Sequence, residues 1–209
     1  MNREKDYNEQ TVLSPESAFL KRSFDVLVSL LGLLVMSPAF LLIYCAIRRE
    51  DHGDPIFRQQ RVGYGGRLFT IYKFRSMTLR SESDGQPRLY HKGDKRLTRV
   101  GRFLREHHLD ELPQLWNVLR GDMSLVGHRP ERPYFVEKIM AVNPDYRRLY
   151  QIRPGIFSRA TLYNGYTDTM EKMLERLRMD LEYLDTCSFL TDMKIIVFTV
   201  FFILTGKKF

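Results

Sequence analysis

Cysteine is scarce. The 209 residues hold two, Cys45 and Cys187, too few for a disulfide framework. With Cys45 inside an apolar segment, a reducing compartment is the plain reading. Charge is missing altogether from Val26 to Ile47, 22 positions, which is enough to reach across a bilayer core at about 20 residues. That run is long for a secretory signal and no small-residue cleavage site follows, which argues against a removable leader. Acid is also in short supply: 25 Asp and Glu stand against 33 Lys and Arg, a formal charge of +8. The balance favours phosphates, acidic headgroups or nucleic acid as partners. The glycine cluster Gly63-Tyr64-Gly65-Gly66 has the wrong spacing for a phosphate-binding loop, and no helix pattern follows it.

What is present begins with the flanks of the uncharged run. Lys21 and Arg22 precede it, Arg48 and Arg49 follow it, and Ser37-Pro38 sits midway. Proline withholds one amide donor and its ring clashes with the carbonyl four residues earlier, so a helix must kink there. Basic residues at both ends fit a segment that enters the membrane, bends and returns. A kinked spanning helix fits equally well on charge alone. Asp25 is expected to pair with Lys21 and Arg22. Residues 1–19 read as a mobile polar tail.

Beyond Arg49 a hydrophobic content of 44% allows one domain with a sizeable core. Ile56 to Met77 reads as a β-hairpin. In its second strand Phe69, Ile71, Lys73 and Arg75 fall on one face by period-two alternation, so a core strand runs out into a cationic end. Seven Lys or Arg lie between Arg88 and Arg105, with Asp94 the lone acid. Val100, Phe103 and Leu104 give the end of that stretch helical spacing. The next helix carries Leu112, Leu115, Trp116 and Leu119 on one face and stops at Gly121. Pro113 is tolerated only in a first turn, so this helix is expected to start near Asp110. Asp110 and Glu111 then sit at the positive end of the helix dipole, where Asp110 should stay ionised. Tyr134 to Tyr150 reads as helix broken at Asn143-Pro144. Residues 152–156 read as a turn carrying Arg153. The stripe Met170, Leu174, Leu177, Leu181, Leu184 is core, with Asp168 and Glu171 resembling a capping box. Ile195 to Leu204 is apolar but too short to span, which suits a buried or interfacial helix.

Paired carboxylates among cations suit a nucleophile and a divalent metal acting on a phosphate. The adjacent His107 and His108 make poor joint ligands, since neighbours on a helix point about 100° apart. Two rivals remain on residues alone: an anchored protein that only binds anions or nucleic acid, and a metal-dependent pyrophosphate hydrolase.

One ordered set of motifs decides among these. Lys21-Arg22 with Asp25, Ser37-Pro38, Lys73-Phe74-Arg75-Ser76-Met77 and Leu109-Asp110-Glu111-Leu112-Pro113-Gln114-Leu115 come first. Gly121 to Gly127, Arg129-Pro130 and Arg153-Pro154-Gly155-Ile156 follow. Together, over about residues 20–209, they resemble the bacterial sugar transferase family, the monotopic phosphoglycosyl transferases. The resemblance implies transfer of a sugar 1-phosphate from a nucleotide diphosphate sugar, with UDP expected, to polyprenyl phosphate, with undecaprenyl phosphate expected. It assigns Asp110 as nucleophile and covalent phosphosugar carrier, and Glu111 as its partner, with Mg²⁺ at the dyad. Lys73, Arg75, Arg105, Arg129 and Arg153 become candidate phosphate holders. No nucleic-acid partner is expected. The Ser37-Pro38 break then implies a re-entrant hairpin, both flanks on the cytoplasmic face of a bacterial inner membrane. The expected fold is α+β and mostly helical: a tail at 1–19, a helix–break–helix at 20–50, and a membrane-surface catalytic domain with the β-hairpin at 51–209. The sequence departs from the family's usual pattern at His107-His108, His128 and Phe157.

Overall fold

The computed structural model describes residues 12–79, 81, 87–91, 93–163 and 167–205. Residues 1–11 of the expected tail, and Lys207-Lys208, lie outside these. Helix α1 (Pro15–Val35) begins inside the segment read as tail. The Ser14 hydroxyl accepts the Ser17 amide at 3.3 Å and Pro15 takes the first position, two start signals that a polar composition hides.

Helix α2 (Ser37–Asp51) follows after the single residue Met36, at an angle of 61°. The bend has a local cause. Pro38 has no amide to give the Leu34 carbonyl, and the Ser37 hydroxyl donates to it instead at 2.8 Å. No single described helix is long and apolar enough to cross a membrane, but this bent pair is so by length and composition. Leu27, Leu30, Leu31, Leu34, Val35, Leu41 and Leu42 stand exposed along it.

The hairpin is as expected. Strands β1 (Ile56–Val62) and β2 (Leu68–Phe74) pair antiparallel from Ile56↔Phe74 to Val62↔Leu68. Helix α3 (Arg99–Glu106) starts on Thr98, whose hydroxyl accepts the Gly101 amide. A 3₁₀ turn at Leu109–Glu111 precedes α4 (Gln114–Arg120). The residues read as a turn at 152–156 instead open β4 (Gly155–Phe157), which pairs parallel with β3 (Ser124–Val126). Backbones meet so closely there that a Cβ on Gly155 would lie 2.1 Å from the Gly127 amide nitrogen; the two glycines are required by contact. Three-residue strands joined across 28 intervening positions leave no periodic signal to read.

Helix α5 (Pro133–Val142) and a 3₁₀ segment (Pro144–Gln151) reproduce the expected break. The short α6 (Arg159–Tyr163) leads to α7 (Met170–Thr186) and α8 (Phe189–Thr205). The capping box is not formed. Thr169 caps α7 by accepting the Lys172 amide, and Asp168 pairs with the Lys172 ammonium at 2.7 Å. The α7 stripe is core as read, and Met173, Arg176, Asp180 and Tyr183 are buried beside it. Helix α8, of 17 residues, buries Asp192, Ile195 and Thr199 and exposes Val197, Phe198, Phe201 and Ile203.

The basic flank of α1 serves the fold. Lys21 pairs with Asp192 of α8 and donates to the Val126 carbonyl; Arg22 donates to the Val118 and Leu119 carbonyls at the end of α4. Asp25 takes the Leu125 amide at 3.0 Å rather than an ion pair with its neighbours. The charges that precede the apolar run thus lock it to β3, α4 and α8.

Candidate active site

The 3₁₀ turn Leu109–Glu111 carries the dyad, and His108 creates it. His108 adopts a left-handed backbone, φ 55°, and His107 caps α3 with its Nδ1 2.9 Å from the Phe103 carbonyl oxygen. A non-glycine residue in this region is uncommon and costs free energy. It reverses the chain between α3 and α4 so that the dyad faces β2. The helix therefore starts later than the proline rule suggested: Pro113 is the N-cap and α4 begins at Gln114. Its buried face is Gln114, Asn117 and Val118, while Trp116 of the expected apolar face is exposed. Leu115 packs on α1, where a Cβ at Gly32 would lie 3.0 Å from it. Asn117 fixes α4 to β2, donating to the Thr70 carbonyl at 2.7 Å and accepting the Tyr72 amide at 3.0 Å.

Three of the five expected cations gather at the dyad. Lys73 Nζ on β2 and Arg129 Nη2, just after β3, both bond Glu111 Oε1, at 2.5 and 2.8 Å. Arg105 Nε lies 3.9 Å from Asp110 Oδ2 while donating to the Ser76 hydroxyl at 3.0 Å, and its guanidinium sits 4.2 Å from the Tyr90 ring centre. Among the described residues the Asp110 carboxylate, though buried, takes no hydrogen bond.

The other two cations are elsewhere. Arg75 forms a two-pronged pair with Asp51 of α2 and donates to the Asp54 carbonyl. Alternation holds only within the strand, and β2 ends at Phe74. Arg153 donates to the Gly121 carbonyl at 2.9 Å and lies over Tyr64. Gly121 ends α4 at the opposite pole from the dyad, about 10 Å away along seven residues of helix.

The two carboxyls part company electrostatically. Burial alone would raise Glu111, but Arg129 and Lys73 hold it well below the ordinary value. Burial raises Asp110; Lys73, Arg105 and Arg129 offset part of that, and the Glu111 charge adds to the rise. Asp110 is expected to stay ionised; burial and the Glu111 charge oppose that, while Lys73, Arg105 and Arg129 favour it, and the cations favour Glu111 more strongly. Burial also lowers Lys73, with Glu111 countering it, and Glu111 raises Arg129.

Behind Arg129 lies a second buried cluster that sequence reading missed. Glu131 pairs with Arg176 of α7 and, at 3.7 Å, with Arg61 of β1; Arg176 also donates to the Thr167 hydroxyl. Asp180 of α7 accepts the Arg129 amide, and burial pushes its carboxyl up to about 7. Burial lowers His128 to about 3, so it is a neutral core residue. A charged residue every fourth position on the core face of α7, Arg176 and Asp180, was the available signal.

Among the described residues no cluster of three or more His, Cys, Asp or Glu could hold a metal. Two carboxylates do fit Mg²⁺ in the mode where substrate phosphates and water complete the shell. Glu111 Oε2 and the Asp110 carboxylate are the groups left over from protein hydrogen bonding.

Known proteins are similar to this chain in sequence. The bacterial sugar transferase family profile matches residues 16–206. A UDP-N-acetylgalactosamine-undecaprenyl-phosphate N-acetylgalactosaminephosphotransferase of Aeromonas hydrophila is 40% identical over 92% of this chain and 45% of its own length. UDP-glucose:undecaprenyl-phosphate glucose-1-phosphate transferases of Klebsiella pneumoniae and Caulobacter vibrioides are each 43% identical, over 87% and 88% of this chain. The chain spans under half the length of the Aeromonas and Klebsiella proteins and 70% of the Caulobacter one. With nearly its whole length matched, from the first helix through the dyad to the last helix, the chain belongs to the bacterial sugar transferase family.

Proposed function

We propose that this protein transfers a sugar 1-phosphate from a UDP-sugar to undecaprenyl phosphate through a covalent intermediate on Asp110. The observation that carries this reading is the asymmetry of the dyad: Glu111 is held by two cations, and Asp110 is buried beside it without a hydrogen-bond partner among the described residues. A carboxylate so placed is poorly solvated, and a desolvated nucleophile is more reactive. Asp110 attacks the sugar-side phosphorus. An Asp–O–P bond forms and the bridging P–O bond breaks, its electron pair leaving with UMP. An oxygen of the lipid phosphate then attacks the same phosphorus and returns the carboxylate to Asp110, yielding a polyprenyl diphosphate sugar. Splitting the transfer in two lets a soluble donor and a lipid acceptor use one site in turn.

Lys73, Arg105 and Arg129 surround the place where phosphate charge accumulates and stabilise it electrostatically. Arg105 is held in place by Ser76 and Tyr90, so its guanidinium need not reorganise. Asp110 and Glu111 are the residues that would hold Mg²⁺, which when bound supplies charge neutralisation at the diphosphate oxygens. The bent α1–α2 pair is read as a re-entrant membrane element at the cytoplasmic face of the inner membrane, supported by the 61° break and its exposed leucines. This reaction would begin assembly of a lipid-linked glycan. The test is mass spectrometry of protein incubated with UDP-sugars and Mg²⁺ without acceptor. A phosphosugar adduct on Asp110 is expected, and UMP release with no adduct under any trapping condition rules the covalent route out.

A further inference from the structure

An open groove of about 520 Å³ runs between α2 and α3, lined by Ala46, Arg49, Glu50, Arg99, Val100 and Phe103. Phe103 is 54% exposed on a helix that buries the adjacent Leu104 completely. An aromatic ring bared on an anchored core helix needs a reason. Val100, Phe103 and His107 share one face of α3 by spacing, and the rings of Phe103 and His107 stack with centres 4.3 Å apart. At that end α3 presents Arg105 to Asp110. At the other end the groove meets α2, where Leu42, Ala46 and Arg49 share a face and Leu42 is 72% exposed. An apolar track thus leads from the bent helix pair, over Ala46, Val100 and Phe103, to the dyad turn.

The charges beside it are of one sign in effect. Among the described residues Arg49 and Arg99 pair with no carboxylate. The one acid, Glu50, is already engaged, accepting the Arg99 and Val100 amides at the start of α3. An apolar floor rimmed by cations suits an amphiphile with a long chain and an anionic head.

We propose that this groove seats isoprene units of the polyprenyl phosphate acceptor beyond the first two, with Phe103 and Ala46 selecting a long chain over a short one. The inference rests on the transfer reaction proposed above. It places the lipid phosphate beside Arg105 and Asp110, and leads the chain along α2 toward the membrane. Arg49 and Arg99 attract the anion on entry.

The test uses the full chain in nanodiscs, with undecaprenyl phosphate and geranyl phosphate as acceptors. Ala46→Trp fills the groove from α2, and Phe103→Ser removes its wall. Each should raise KM for undecaprenyl phosphate about tenfold, as loss of one buried apolar side chain implies. KM for the UDP-sugar and for geranyl phosphate should stay within about twofold, the size of a small contact change. An equal rise for both acceptors, or no rise, overturns the groove. A second readout does not need turnover: a benzophenone-bearing polyprenyl phosphate should label residues 99–106, and excess undecaprenyl phosphate should block it. Equal blocking by phosphatidylglycerol would assign the groove to bulk lipid instead. Failure of the wild type to release UMP with any UDP-sugar would sink the transfer reading, while photolabelling still decides the groove.

Discussion

Two buried clusters of charge adjoin each other, one at Glu111 and one at Glu131, and they are completed differently. Glu131 uses both carboxylate oxygens, one toward Arg176 and one toward Arg61. Glu111 takes Lys73 and Arg129 on the same oxygen, and among the described residues its neighbour Asp110 has only Arg105 at 3.9 Å. Buried charge is expensive unless paired. Glu131 meets that requirement within the protein, although Arg61 Nε and Asp180 Oδ1 beside it have no hydrogen-bond partner among the described residues. The dyad leaves part of it open, and a metal or phosphate partner would complete it. The closed cluster also stands directly behind the open one, because Asp180 holds the Arg129 amide.

The sharpest test of this contrast is Asp110→Asn. Transfer should fall by about a thousandfold or more, as removal of a nucleophile does, while the melting temperature holds or rises because a weakly paired buried carboxylate is gone. A fall in stability matching that of a core mutation would show that Asp110 is structural. Arg176→Met should do the opposite. Stripping Glu131 of its closest partner is expected to cost about 3–5 kcal/mol in denaturant unfolding, with transfer per folded molecule nearly retained. If activity collapsed while stability held, the two clusters would not be separable in the way described.

Lys73→Met lies between these. Arg129 still holds Glu111, so the fold should survive, and kcat should drop by about a hundredfold for loss of one phosphate-facing cation. An unchanged kcat would confine Lys73 to a structural pair. The gentlest probe is pH. Asp180 has an ordinary value of 3.8 when unfolded and about 7 when folded, so between these the folded state holds one more proton. Stability should therefore decline as pH rises from about 4 to 7, by at most about 1.4 kcal/mol per pH unit. In Asp180→Asn that part of the slope should vanish; an unaltered slope would assign it to another group.

Much of this is legible in the sequence alone. The hairpin follows from alternation, the α5 break from Asn143-Pro144, and the α7 core stripe from its period. The kink at Ser37-Pro38 follows from a missing amide. Each is a local rule acting over a few residues. The departures from local rules are informative for the same reason. The alternation that groups Arg75 with Lys73 stops at Phe74, so Arg75 turns to Asp51, and Arg153 of the Arg153-Pro154-Gly155-Ile156 motif bonds the Gly121 carbonyl away from the dyad. Asp110 lies in a 3₁₀ turn rather than at the expected helix start, because a left-handed His108 leaves no mark in composition.

The sequence by itself determined that this chain carries a bent apolar pair, a hairpin, and two carboxylates set among cations, since propensity, periodicity and proline chemistry are short-range. Only the tertiary structure decided which cations reach which carboxylate. Lys73, Arg105 and Arg129 arrive from three separate elements, and Asp180 from a fourth. It also decided that Asp110, rather than Glu111, is left without a hydrogen-bond partner among the described residues, with only Arg105 at 3.9 Å. That outcome depends on burial and on distances of a few ångströms between segments far apart in the chain, and charge energies change steeply over just that range.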